Sequence, residues 1–308
     1  MKIIDEIKQT EQPTAVAIGY FDGLHLGHRA VIETAVAAAC ARHLAPAVFT
    51  FRMPAGRPQM KQGGNILTES DKRALAAGLG VNLYIAPGFE EVAGWDGGVF
   101  MNEVLFKNFG ATAICCGADF RFGHGRAYGA EELASLCRAA GAELIVIPAV
   151  TEGGAPISST RIKAALAAGE MEKAARMLGR PYQLKLTVHA DKHLAGSLGF
   201  PTINQRLPEE LAEPRLGVYY TRALVGDDQY DAVSNLGRRP TVGGAALTLE
   251  THILDYSGQL YGREVTVELR KFLRDERRFE NVEALKRAVE RDIAAARDIE
   301  HLTKNNDQ

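Results

Sequence analysis

A chain of 308 residues with 46% hydrophobic and 24% charged side chains can form two domains whose cores need no disulfide or metal, and this composition excludes disordered and fibrous architectures. Formal net charge is −2 and evenly spread, with 18 basic and 18 acidic residues up to residue 180 and 18 and 20 beyond it, so the clustered Lys and Arg of a nucleic-acid-binding surface are missing. The N-terminal residues are partly acidic with no apolar run of signal-peptide type, and no stretch approaches the ~18–20 apolar residues that span a bilayer. The expectation is a cytoplasmic protein with no nucleic-acid or membrane partner. Its cysteines, Cys40, Cys115, Cys116 and Cys137, lack zinc spacing and read as buried thiols.

In chain order, residues 15–21, 45–51, 81–87, 111–117 and 143–150 are short apolar runs that read as strands. Residues 29–43, alanine-rich with helical periodicity, and 131–140 read as helices between them. This alternation predicts βαβ units and a parallel sheet covered by helices, with ligands at the carboxyl ends of the strands. Residues 158–181 are helical in composition and stop at Gly179 and Pro181. A domain boundary is placed there, giving domains 1–180 and 181–308. Beyond it, residues 183–190, 217–225, 230–235, 247–256 and 264–273 read as strands separated by Gly, Pro and Asp, which predicts an antiparallel barrel or sandwich. Val282, Leu285, Val289, Ile293 and Ala296, three and four apart, predict a final amphipathic helix packed on it.

Gly19-Tyr20-Phe21-Asp22-Gly23 ends the first strand, and His25 and His28 follow three residues apart where the next helix begins. That spacing puts both imidazoles on one face. Gly23 and Gly27 let a phosphate approach the backbone, and the free N–H groups and dipole of the helix start favour an anion there. By residue type alone, a glycine-rich turn with two exposed histidines is the weaker alternative.

The whole string Ile18 to His28 resembles the H-x-G-H signature of the α/β-phosphodiesterase nucleotidyltransferases and, more narrowly, the G-x-F-D-G-x-H-x-G-H start of prokaryotic FAD synthetases. Gly117-Ala118-Asp119-Phe120-Arg121-Phe122-Gly123 resembles that family's G-x-D-F-x-F-G turn, and Ile157-Ser158-Ser159-Thr160-Arg161-Ile162-Lys163 its I-S-S-T-x-x-R element. The resemblance implies a Rossmann-like α/β domain in which Gly19, Phe21, Asp22, Gly23, Gly27, Asp119, Ser159, Thr160, Arg161 and Lys163 bind nucleotide and His25 and His28 act in catalysis. Three departures stand against it. Thr50-Phe51-Arg52-Met53-Pro54-Ala55 replaces the usual T-F-D-P-H-P, Lys163 stands where Arg is usual, and Tyr128-Gly129 replaces Gly-Asp.

The second half resembles riboflavin kinases. Gly199-Phe200-Pro201-Thr202-Ile203-Asn204 matches G-F-P-T-x-N, Gly217-Val218-Tyr219 matches G-V-Y, and Asn235-Leu236-Gly237-Arg238-Arg239-Pro240-Thr241 matches N-x-G-x-R-P-T. Leu249-Glu250-Thr251-His252, Leu260-Tyr261-Gly262 and Phe272-Leu273-Arg274-Asp275-Glu276 followed by Phe279 continue the likeness in order and spacing. It implies a β-barrel in which Glu250 is the base for the ribityl hydroxyl, Thr202 and Asn204 hold Mg²⁺, and Gly199, Pro201, Asn235, Arg239 and Arg274 bind flavin or ATP. Arg274 is set either to neutralise phosphate or to pair with a neighbouring acid. The residues before G-F-P-T depart from the family's glycine-rich loop, with Asp191 and Ala195 at glycine positions and Gly196 for Arg. Together the halves identify the chain with the bifunctional riboflavin kinase/FAD synthetase family. The substrates implied are riboflavin, FMN and ATP, with Mg²⁺. Two other readings stay open, a chain with one working module and a flavin or nucleotide sensor without turnover.

Overall fold

The computed structural model describes residues 1–52, 63–190, 200–241 and 244–306. Strands β1 (Lys2–Ile4), β2 (Thr14–Ile18), β3 (Ala45–Phe49), β4 (Leu83–Ile85), β5 (Ala111–Gly117) and β6 (Glu143–Ile147) form one sheet in the order β1-β4-β3-β2-β5-β6. Every pairing in it is parallel. Both β2 and β3 are buried at all positions, as strands covered on two faces must be. The connections are α1 (Leu26–Arg42), α2 (Glu69–Gly78), the short α3 (Phe89–Val92) and α4 (Gly97–Val99), a π-helical stretch Phe100–Asn108, and α5 (Ala130–Ala140). A small antiparallel hairpin, β7 (Thr151–Glu152) and β8 (Ala155–Pro156), follows.

Val16, Ile18, Phe49, Ile85 and Ile114 meet Phe100, Met101, Val104 and Phe109 of the π-helical side in the larger core. On the opposite face Ala15 and Ala113 pack against Ala38 and Ala39 of α1, small side chains that let helix and sheet approach closely. Cys115, Cys116 and Cys137 are buried as expected, but Cys40 is exposed, because it lies on the outer face of α1.

The expected helix over residues 158–181 is in fact two, α6 (Ser159–Ala168) and α7 (Met171–Leu178). The break falls at Gly169, whose φ of 79° turns the chain, and a Cβ there would stand 3.1 Å from the Phe272 ring. By packing, the chain divides into Met1–Ser159 and Thr160–Gln308, so α7 lies against strands of the second unit.

That second unit is a closed antiparallel barrel. Its strands are β9 (Tyr182–His189), β10 (Ile203–Arg206), β11 (Gly217–Val225), β12 (Asp228–Thr241), β13 (Gly244–Ile253) and β14 (Glu264–Arg274), closing in the order β10-β13-β12-β11-β14-β9. Tyr182, Leu184, Leu186 and Val188 alternate inward along β9, the period of a strand with one buried face. A chain of hydroxyls, Thr221 to Ser234 to Thr251 at 2.8 Å each, crosses three strands with no side chain accessible to water. Helix α8 (Val282–Asn306) braces the barrel, Ile293, Ala296 and Ile299 packing on Val218, Tyr220, Val233 and Leu254. No helix among the described residues is long and apolar enough to cross a membrane.

Candidate active sites

From β2 the chain moves outward to β3 and β4 on one side and returns to β5 on the other, so the order of the sheet reverses between β2 and β5. Ligands of open parallel sheets bind at the carboxyl ends of strands flanking such a point. Both sequence-predicted turns of the first unit follow these two strands. In the first, Gly23 has φ 85°, and two residues that are not glycine, Phe21 at 54° and Leu24 at 40°, also lie in the left-handed region while almost fully buried. Strain of this kind persists only where surrounding structure holds it, and it concentrates at functional sites.

His25 caps α1, its Nδ1 accepting a hydrogen bond from the His28 backbone N at 3.2 Å. An Nδ1 that accepts leaves the ring proton on Nε2, the atom able to donate to a phosphate oxygen. The His28 ring stacks on it at 3.6 Å between centroids, and Phe21 meets His28 edge-on at 5.4 Å. A Cβ at Gly27 would stand 3.2 Å from His25 Cε1, so the glycine in H-x-G-H makes room for the capping ring. His25 is only 5% exposed, which removes the reading of two merely exposed histidines.

Asp22 is also buried. Its Oδ1 accepts from Ile66 N at 2.7 Å, and its carbonyl accepts from Ser159 Oγ at 2.9 Å. Ser159 starts α6, and Thr160, Arg161 and Lys163 follow along that helix. In the second turn a Cβ at Gly117 would meet Asp119 Oδ1 at 3.0 Å, so the carboxylate folds back over the strand end. Likewise a Cβ at Gly19 would meet the Phe21 ring at 3.0 Å.

The departure at Tyr128 has a structural role. Phe122 and Tyr128 exchange backbone hydrogen bonds at 3.1 Å, and Tyr128 Oη donates to Asp96 Oδ2 at 2.5 Å. The ring occupies space that a Cβ at Gly97 or Gly123 would need. This bond holds the Asp96 carboxyl below the usual carboxylate range and the Tyr128 phenol above its own.

In the barrel, four of the predicted kinase residues fall on one transverse row. Asn204 of β10 is directly opposite Glu250 of β13, Glu250 is opposite Asn235 of β12, Asn235 is opposite Val218 of β11, and Val218 is opposite Arg274 of β14. Directly opposed residues present their side chains on the same face. Asn204 is fully buried, and Glu250 ion-pairs with Arg239. Thr202, just before β10, has a buried Oγ1 with no hydrogen-bond partner among the described residues. The neighbouring Pro201 carbonyl accepts from His252 Nδ1 at 2.8 Å.

Arg274 takes the second of its two expected alternatives, a bidentate pair with the buried Asp292 of α8 at 3.0 and 2.7 Å. Asn235 Nδ2 donates to Glu276 Oε1 at 3.2 Å. Beyond β14, Arg277, Arg278, Phe279, Arg287 and Arg291 line a recess of about 380 Å³, with the Arg274 guanidinium 5.7 Å from the Phe279 ring. Gly199, the altered loop residues 191–198 and residues 53–55 lie outside the described residues. Sequence reasoning did not single out Asn65, Ile66, Asp96 or Asp292. Only Asp292, one helical turn before Ala296 on the packed face of α8, carried a pattern that could have drawn notice.

Residues 7–161 match the family model for FAD synthetase, and residues 178–300 that for riboflavin kinase. A bifunctional riboflavin kinase/FMN adenylyltransferase of Escherichia coli (strain K12) is 33% identical over 312 residues, covering 98% of this chain and 97% of its own. The enzymes so named from Pseudomonas fluorescens and Bacillus subtilis (strain 168) are 32% and 31% identical, covering 96% and 93% of this chain and 95% and 92% of theirs. A crystal structure of a macrolide-efflux protein from Streptococcus pneumoniae is similar with a TM-score of 0.86 at 26% identity, covering 96% of this chain and 98% of that one.

Proposed function

The chain belongs to the bifunctional riboflavin kinase/FAD synthetase family, and from that premise we propose that it makes FMN from riboflavin in its barrel and FAD from FMN in its first unit. The observation that supports this best is that each unit brings its own set of motif residues together, the capped turn at His25 in one and the Asn204–Glu250–Asn235 row in the other.

In adenylyl transfer the FMN phosphate attacks the α-phosphorus of ATP, the bond to the β-phosphate oxygen breaks, and pyrophosphate leaves. No protein nucleophile is needed. The N-terminus of α1 attracts the phosphates, and Nε2 of His25 donates to an oxygen as charge develops. His28, stacked on that ring, fixes its plane. Asp22 and Ser159 hold the turn through their mutual bond.

In the kinase reaction Glu250 takes the proton of the ribityl 5′-hydroxyl as its oxygen attacks the γ-phosphorus, and ADP leaves. Arg239 fixes the Glu250 carboxylate and brings a guanidinium to the row. Magnesium fits the residues present, since Thr202 Oγ1 lies buried without a hydrogen-bond partner among the described residues and, with the Asn204 side chain, offers the hard oxygen donors it prefers. A magnesium ion held by Thr202 and Asn204 would supply positive charge to the ATP phosphates. The recess beside Arg274, lined by Phe279, Glu280 and several arginines, offers an aromatic face and positive charge to a flavin phosphate or ring. The place of action is the cytoplasm.

Purified protein with ATP and magnesium, given riboflavin in one reaction and FMN in another, tests both steps by chromatography of the flavins. FMN without FAD overturns the adenylyltransferase assignment. FAD formed only from supplied FMN overturns the kinase assignment, and flavin binding without product supports a sensor.

A further inference from the structure

We propose that Asn65 and Ile66 are positioning residues for adenylyl transfer, latching the phosphate turn at Tyr20–Gly23 in the shape that receives ATP; this rests on the adenylyltransferase reading of the first unit. Three contacts reach from this pair to the turn across more than forty residues of chain. The Ile66 backbone N donates to Asp22 Oδ1 at 2.7 Å. The Ile66 side chain, 1% exposed, lies so close to Gly23 that a Cβ there would be 2.8 Å from its Cδ1. The Tyr20 hydroxyl donates to Asn65 Oδ1 at 3.0 Å.

Tyr20 is held at its ring as well, with Lys72 Nζ 5.2 Å from the centroid and that ammonium paired to Glu69 at 3.0 Å. Burial, then the nearby Asp22 and Glu69 carboxylates, push the Tyr20 phenol up to about 12, so it remains a donor throughout the physiological range. The turn between these contacts has Phe21, Gly23 and Leu24 at positive φ. Such a run relaxes unless contacts on both sides over-determine it. Ser159 holds the Asp22 carbonyl from one side, and Ile66 holds its carboxylate from the other. Neither Asn65 nor Ile66 needs to touch substrate. They act through Tyr20 and Asp22, whose placement sets where the backbone N–H groups and His25 point.

The test uses the full chain, unaltered and as Tyr20→Phe, Asn65→Leu and the double variant. FAD formation from FMN is followed against ATP concentration, and riboflavin phosphorylation is measured on the same preparations. The expected result is a rise of about fivefold in the KM for ATP of FAD formation in each single variant, the effect of one hydrogen bond, with kcat within about twofold. Because one bond is removed either way, the double variant should be no worse than the poorer single, and riboflavin phosphorylation should not change. An unchanged KM overturns the latch, as does a parallel loss of both activities. If the unaltered chain makes no FAD from FMN, the adenylyltransferase reading fails and takes the latch with it, whereas turnover by the unaltered chain with unaffected variants overturns the latch alone.

Discussion

Gly237 lies on β12 against the carboxylate of Glu276, and a Cβ added to it would stand 2.2 Å from Glu276 Oε1 and 3.0 Å from Cδ. Gly237→Ala forces that carboxylate back by at least ~1 Å before the atoms reach ordinary van der Waals separation. A shift of that size takes the 3.2 Å bond from Asn235 Nδ2 to Glu276 out of hydrogen-bonding range. Asn235 neighbours Glu250 in the transverse row, so the damage falls on the kinase site. One such bond is worth about 1 kcal/mol, which predicts a loss of about fivefold in kcat/KM for riboflavin phosphorylation. Gly237 is not in the left-handed region, so alanine adds no backbone strain and Tm should move by no more than ~4 °C. FAD formation from supplied FMN should be unaffected. Glu276→Ala breaks the same bond from its other end, and Gly237→Ala/Glu276→Ala should be no slower than Glu276→Ala. Full riboflavin turnover in Gly237→Ala, or a double variant slower than both singles, refutes the reasoning.

Glu250→Gln should lower riboflavin phosphorylation by about 10²-fold or more while FAD formation from FMN continues, a split that assays of both steps on one preparation will reveal. Ser234→Ala leaves the buried hydroxyls of Thr221 and Thr251 short of a partner and should lower barrel stability by about 2 kcal/mol in urea unfolding; no change in midpoint would show the chain of hydroxyls to be unimportant. Burial pushes Cys115 and Cys116 up to about 12 and Cys137 up to about 11. Because these folded values lie above the unfolded ones, their contribution to stability is present below pH ~8.5 and declines as pH rises from there toward the folded values. The urea midpoint should therefore fall between pH 8 and 10, and fall less in Cys115→Ala. A thiol reagent should modify one cysteine in the native chain, the exposed Cys40, and four after unfolding.

Regular elements were legible where hydrophobic pattern and glycine boundaries agree, as in β5 and β11, whose ends coincide with the expected ones. The strand expected over residues 15–21 ends at Ile18, because Tyr20 and Phe21 are apolar by type but belong to the turn, and hydrophobicity does not register a positive φ. The π-helical Phe100–Asn108 has no propensity signature, and β1, three residues with two exposed, offers too little pattern. Gly169 lies in an alanine-rich stretch where a single glycine is tolerable. Its role as a break depends on Phe272 and Arg215, far along the chain.

The chemical residues were readable because motifs carry them. Their supports were not, since Asn65, Ile66 and Asp96 are ordinary residues whose partners lie 30 or more positions away. Arg274 shows the same limit. Its two alternatives could be named from sequence, but only the packing of α8, which brings Asp292 against it, decides between them.

The transverse row also bears on how the barrel reaches its native state. Asn204, Asn235, Glu250 and Arg274 arrive from four strands; Asn235 and Glu250 meet between the consecutive strands β12 and β13, but Asn204 and Arg274 join the row only when distant segments have met. The pairs β11 with β12 and β12 with β13 can form locally and early, whereas β10 must find β13, and β14 must find β11 and β9. Non-local pairings of this sort are slow. Recovery of riboflavin phosphorylation during refolding would thus time the last closure of the barrel, while backbone signals would already have risen with the local pairs. No excised fragment lacking one of these strands would retain the row.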